Sequence, residues 1–185
     1  MNKSALLLLS LLLTLNIQAQ TPAPKPGPDQ KKLEVWAGDW KYKGTGYATP
    51  LGKPGTFAGT QKTRMSLNRF FLESRWLDKA DSGEDKGLVS QGLEIDGYDT
   101  AKKNYTISVW EGDGAFSTGS MTVSGNCWTS VSTRTGSDGK AYQTRGVTTF
   151  SEDGKRATVK MELSSDGTTW MPSYDLVMTK TRSSR

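Results

Sequence analysis

Glu94, Asp96 and Asp99 recur within the stretch LEIDGYD. Carboxyl groups held close together can do acid–base work, one neutral and one ionised. The spacing alone does not fix their separation, and Asp96 and Asp99 also look like turn formers, a structural role that competes with the chemical one. Glu73 and Arg75 stand two apart in LESRW and share a strand face opposite to Trp76. A solvated surface pair is the expectation; a buried ion pair or a polar ligand anchor follows only if the strand faces are reversed. The acidic run DSGEDKG, residues 81–87, lacks the ligand spacing of a calcium loop and reads as a hairpin tip.

What the chain lacks narrows the chemistry further. It has no histidine and one cysteine. Ser–His and Cys–His nucleophile pairs are excluded, and so are His-ligated zinc and His-ligated haem. Cysteine-rich metal sites are excluded as well, so no catalytic residue, no metal and no cofactor is assigned. Cys127 has no partner for an internal disulfide, and its place in an alternating run suggests a buried, inert thiol. The net charge is +5, but the Lys and Arg residues are scattered among Asp and Glu. No basic cluster with interleaved aromatics stands out, which argues against nucleic acid as a partner.

The elements that must position any site begin with a leader. Lys3 precedes an apolar run from Leu6 to Leu15, and Ala19 supplies a small residue for cleavage. Residues 1–19 therefore read as a secretory signal peptide, too short in its apolar run to remain as a membrane span. No Cys follows it, so no lipid anchor is expected, and the expected location is secreted, in the periplasm. Residues 20–28 form a Pro-rich linker, residues 29–182 a single domain, and residues 183–185 a tail. Asp29 is placed to cap a short helix, DQKKLEVWA, with Leu33, Trp36 and Ala37 on one side, and Gly38 ends it.

Beyond Gly38 the apolar period becomes two. Trp40, Tyr42, Gly44 and Gly46 alternate with Asp39, Lys41, Lys43 and Thr45. Similar runs recur to the C-terminus, punctuated by Asp-Gly pairs at 113–114, 138–139, 153–154 and 166–167. These pairs suggest type I′ hairpin turns, and Asp96-Gly97 a bulge or strand end. About ten strands in an antiparallel meander follow, with closure into an up-and-down β-barrel as the way to remove the sheet edges. The fold class expected is all-β, with one short N-terminal helix.

The face holding Trp40 is taken as the inward one. Along it lie Tyr42, Trp76, Gln91, Tyr105, Tyr142, Met161 and Tyr174, which with Trp40 are the candidate ligand-binding residues. Val89, Leu93 and Ile95 are placed on the same face as Gln91, and Thr63, Ser74 and Thr144 fall among them. A packed core rarely holds so many hydroxyls and amides without partners, whereas a cavity holding water or a ligand satisfies them.

Two motifs carry a family resemblance. Gly38-Asp39-Trp40 after a helical lead-in resembles the Gly-x-Trp signature of the calycins, the lipocalin-like barrels. The resemblance implies that Trp40 closes the barrel base under a basic residue near the last strand, Lys180 or Arg182. The stretches PGPDQKKLEVWAGDWKYKG, RFFLESRWL and GLEIDGYDTAKKNYT also resemble the bacterial family called domain of unknown function 1579, over roughly residues 26–110. That resemblance implies a lipocalin-like fold and no activity. Nitrobindin-like barrels hold haem through a histidine that this chain lacks.

Three functions remain open on this sequence. The favoured one is a secreted barrel binding a small apolar or amphipathic molecule. The second is a His-independent enzyme on the same barrel, which requires a carboxyl with a perturbed pKa in the cavity. The third is an envelope protein binding a glycan or protein through surface Trp, which requires a contiguous exposed aromatic patch.

Overall fold

The computed structural model describes residues 24–183. A five-residue helix, α1 (Pro28–Lys32), runs into one 3-10 turn over Leu33–Val35. Pro28 opens the helix where its missing N–H costs nothing, and Gly27 just before it donates its backbone N–H to Gln30 Oε1 at 3.0 Å. Asp29 is therefore not the N-cap expected of it. It lies inside the first turn, where its carboxylate accepts from Lys32 Nζ at 3.0 Å.

Ten strands follow: β1 (Gly38–Gly46), β2 (Gly55–Ser66), β3 (Phe71–Ala80), β4 (Val89–Asp99) and β5 (Asn104–Glu111), then β6 (Phe116–Ser124), β7 (Cys127–Thr135), β8 (Ala141–Phe150), β9 (Arg156–Ser164) and β10 (Met171–Ser183). Each pairs antiparallel with its sequence neighbour, and β1 pairs with β10, so the sheet closes into a barrel. Gly38 starts β1 at φ 150°, where a Cβ would lie 2.7 Å from the Arg182 carbonyl oxygen. Glycine is what lets the chain turn from the helix into the closing ladder.

The packed core sits at the end of the barrel that α1 covers. Leu33, Trp40, Trp128 and Phe150 are almost wholly buried there. The rings meet edge to face, Trp36 with Phe150 at 4.7 Å between centroids and Trp36 with Trp128 at 6.0 Å. Three side chains of the wall fasten the lead-in by its backbone oxygens. Trp40 Nε1 donates to the Trp36 carbonyl at 2.7 Å, Tyr105 Oη to Asp29 at 3.1 Å and Lys180 Nζ to Val35 at 2.9 Å. Lys180 also lies 4.7 Å from the centre of the Trp40 ring, so it is Lys180 and not Arg182 that covers the tryptophan.

The turns differ in kind from the expectation. At each of the four Asp-Gly turns only the Gly has positive φ, between 64° and 89°. A type I′ turn needs both central residues there. Instead the Asp side chain accepts a backbone N–H two residues on, as Asp113 does from Ala115 and Asp153 from Lys155. The chain thus makes an Asx-braced turn followed by a left-handed Gly. Asp96-Gly97 is neither bulge nor strand end: both pair in register within β4, with Ile107 and Thr106.

Candidate functional site

The ladder registers define which residues face inward. From Trp40 the inward set passes across β2 to Gln61 and Thr63, and across β3 to Ser74, Trp76 and Asp78. Ser74 pairs with Glu94 and Leu72 with Asp96, so β4 turns both carboxyls inward. Glu94 pairs in turn with Val109 and Asp96 with Ile107. On the far side the inward set includes Ser132, Thr144, Met161, Tyr174 and Leu176.

Above the plug this interior is a lumen. Trp76, Glu94, Val109, Ser132, Thr144, Met161, Tyr174 and Leu176 point inward yet remain only half-buried. Side chains that point into a barrel and keep accessible surface line a space rather than a packed core. Glycines help to keep it open. A Cβ at Gly92 would overlap the Trp76 ring, and one at Gly59 would stand 2.6 Å from the Tyr42 ring. Trp76 and Tyr42 therefore lie flat against the wall in space that only glycine leaves free. Gly92→Val should push the indole into the lumen, lower stability by about 1–3 kcal/mol and shift the tryptophan emission. Urea unfolding and fluorescence spectra of the variant check both effects.

The wall is divided by chemistry. Strands β2 to β4 carry the polar side, where Gln61 Nε2 donates to Thr63 Oγ1 at 3.0 Å and Thr63 meets Ser74 Oγ at 3.0 Å. Ile107 and Val109 on β5, Val159 and Met161 on β9 and Leu176 on β10 make the apolar side.

Charge concentrates at mid-barrel. Burial raises the Glu94 carboxyl and raises that of Asp96 well above the ordinary carboxylate range, with Glu94 adding its own field and a hydrogen bond to the Asp96 shift. Asp78 is raised by desolvation, although the Tyr42 hydroxyl donates to it at 3.3 Å. The Tyr174 hydroxyl is pushed up by burial and by the fields of Glu94, Glu111 and Asp78. Glu111 has a cation of its own: Arg134 grips it through Nε and Nη2, both at 2.8 Å. Among the described residues no Lys or Arg pairs with Asp78, Glu94 or Asp96.

The family model described as "Protein of unknown function (DUF1579)" matches residues 25–180. The chain belongs to the DUF1579 family. Nothing among the curated proteins matches it. One solved structure similar to this DUF1579 barrel is the crystal structure of Rv2717c from M. tuberculosis, with a TM-score of 0.60 and 13% identity. The match covers 84% of this chain and 99% of that one, and at such identity the likeness is one of fold.

Within this DUF1579 barrel the eight candidate residues separate. Trp76, Met161 and Tyr174 lie on the lumen wall, Tyr42 points inward but is packed into the buried core, and Tyr142 lies inward beside Arg134. Trp40 and Tyr105 belong to the plug at the base. Gln91 faces solvent, paired with the exposed Leu77. With it Val89, Leu93 and Ile95 turn outward, because β4 carries apolar residues on the face opposite to its functional one. Glu73 and Arg75 form an exterior pair at 2.8 Å. Cys127 is half-buried on the outer face, between Ser124 and Thr149, and not in the core. Leu67 is a turn residue at φ 47°, largely exposed. The sequence reading overlooked Asp78, Glu111 and Arg134 and read Asp96 as a turn former. Alternation counted outward from Ser74 across the ladder was the signal for Glu94 and Asp96.

Proposed function

We propose that this protein is an exported barrel that holds a small apolar or amphipathic molecule in its lumen. The observation that carries this reading is the half-buried inner wall above a sealed base, apolar on β5, β9 and β10 and polar on β2 to β4. Burial of the ligand's apolar surface drives binding, and the polar wall orients it. Native mass spectrometry of the protein isolated from its own cells tests this. An added mass that leaves on denaturation is expected; a bare chain that takes up no probe molecule in solution overturns the reading.

Export rests on the leader-like residues 1–19, which lie outside the described residues. N-terminal sequencing of the protein from the periplasmic fraction should begin at Gln20, after cleavage beyond Ala19. Intact Met1 in that fraction would count against it.

One observation favours the enzymatic alternative. Glu94 and Asp96 stand two residues apart on the inward face of β4, both raised by burial, a carboxyl pair of the kind that does acid–base work without any histidine. If the reading holds, the molecule retained by Glu94→Gln differs in mass from the one retained by the native protein, as a trapped substrate differs from a product.

A further inference from the structure

The lumen is acidic although the protein is basic. Outward positions of β1 to β3 carry Lys41, Lys43, Lys62, Arg64, Arg75 and Lys79. Inward positions of β3 to β5 carry Asp78, Glu94, Asp96 and Glu111. Arg134 is committed to Glu111, with Asp113 at 3.8 Å. Lys180 is committed to the base, beneath Trp40 and bonded to Val35. Glu94 and Asp96 thus face a cavity with no cation of the protein's own among the described residues.

Asp96 is 3% exposed, and its Oδ1 has no hydrogen-bond partner among the described residues. A buried carboxyl oxygen without a donor is costly, and no folding role repays it here. It sits beside Ile107 and one pleat below Glu94 on the same wall. A donor that enters the lumen would therefore meet both carboxyls. The described residues bring no three acidic ligands together as a metal site, so a divalent metal is not the partner the geometry suits.

We propose that the lumen takes an amphipathic organic cation, an amine whose ammonium group sits between Glu94 and Asp96 while its apolar body lies along Ile107, Val109, Met161 and Leu176. This rests on the lumen-binding reading above and names the ligand class for it. An ammonium offers up to three donors, enough for Asp96 Oδ1 and the Glu94 carboxylate at once. Desolvation strengthens such a pair, because water does not compete for either charge. An ammonium seated there favours the ionised carboxylates, so a carboxyl that is protonated in the free protein gives up its proton on binding. Among the described residues the other ionisable groups on the inward face here include Asp78 from β3, Tyr98 from β4, Tyr105 and Glu111 from β5, Arg134 from β7, Tyr142 from β8, Tyr42 from β1 and Tyr174 from β10. Only Arg134 among them is cationic.

Calorimetric titration of the purified protein with octylammonium, octanol and octanoate, each below its aggregation threshold, tests the inference. Octylammonium should bind at least about tenfold tighter than octanol, and octanoate weakest. Comparison of buffers with different ionisation enthalpies should show a proton released on octylammonium binding and none on octanol binding. Glu94→Gln and Asp96→Asn should each remove the preference for the ammonium while octanol still binds. Equal affinities for the three probes, or tighter binding of octanoate, overturn the cation inference and leave the lumen-binding reading standing. Failure of all three to bind overturns both.

Discussion

Trp40→Ala should lower the free energy of unfolding by about 3–5 kcal/mol, the cost of emptying a buried aromatic site. Trp40 is 1% exposed and is one of the largest fully buried side chains. It touches the plug in three ways at once. Its indole N–H holds the Trp36 carbonyl, its ring packs on Phe150 at 6.1 Å, and the Lys180 ammonium covers its face. Alanine leaves a hole and frees both the carbonyl and the cation. Trp40→Phe keeps much of the packing and loses the N–H, so a smaller loss of about 1 kcal/mol is expected. Urea unfolding followed by far-ultraviolet circular dichroism measures both. A Trp40→Ala midpoint close to that of the native chain would show that the base is held by other contacts.

Asp96→Asn should make the protein more stable at pH 8, by about 1–3 kcal/mol, the order of the penalty for a buried polar group left without a partner, which is here the ionised carboxylate that a neutral amide replaces. The sign follows from proton binding. Burial, aided by Glu94, holds the folded-state pKa of Asp96 above its unfolded value. Between those two values the folded protein keeps a proton that the unfolded chain has released, so stability falls as pH rises through that window. The favourable contribution is fully present below the unfolded value, near pH 4, and is lost once the folded carboxyl ionises. Asparagine does not titrate, and its amide still donates to Glu94. The two proteins should therefore converge toward pH 4 and separate above it. Glu94 is raised in the same direction, so Glu94→Gln should remove part of the same slope. An Asp96→Asn variant less stable than the native chain at pH 8 would mean that the ionised carboxylate is held by contacts the structure lacks.

Ten strands, the barrel closure and the short helix were legible because most strands obey one rule. In β1, Trp40 and Tyr42 go in while Lys41 and Lys43 go out, and no other register keeps the lysines wet. The same holds for β3, where Leu72, Ser74 and Trp76 oppose Glu73 and Arg75. In β4 the rule fails. Val89, Leu93 and Ile95 form the apolar face, yet they look outward, while Gly92, Glu94 and Asp96 look in. Hydrophobic periodicity alone thus selects the wrong side and puts Gln91 in the lumen. The correct side depends on long-range pairing, since Glu94 is inward only because Ser74 opposite it is inward. Much of the apolar wall could be read from local alternation; the carboxyls that give the site its character could not. A lumen that has to hold charged groups breaks the pattern by which sequences announce their cores. The turns were misread for a different reason: Asp-Gly is compatible with two turn geometries, and the Asp side-chain bond selects between them.

The pairing of β1 with β10 also sets a timetable for the nascent chain. The first strand made is also one of the last to be completed, because its closing partner is the final strand. At ~5–20 residues per second, several seconds separate synthesis of the two. During that interval β1 has one raw edge, and Trp40 waits for the lysine that will cover it. A chain that stops before Met171 leaves β1 and β9 without their β10 partner, two bare edges of the kind prone to join a second copy. The tenth strand thus acts as a checkpoint: the chain has a closed barrel only once Met171–Ser183 is available to pair with β1.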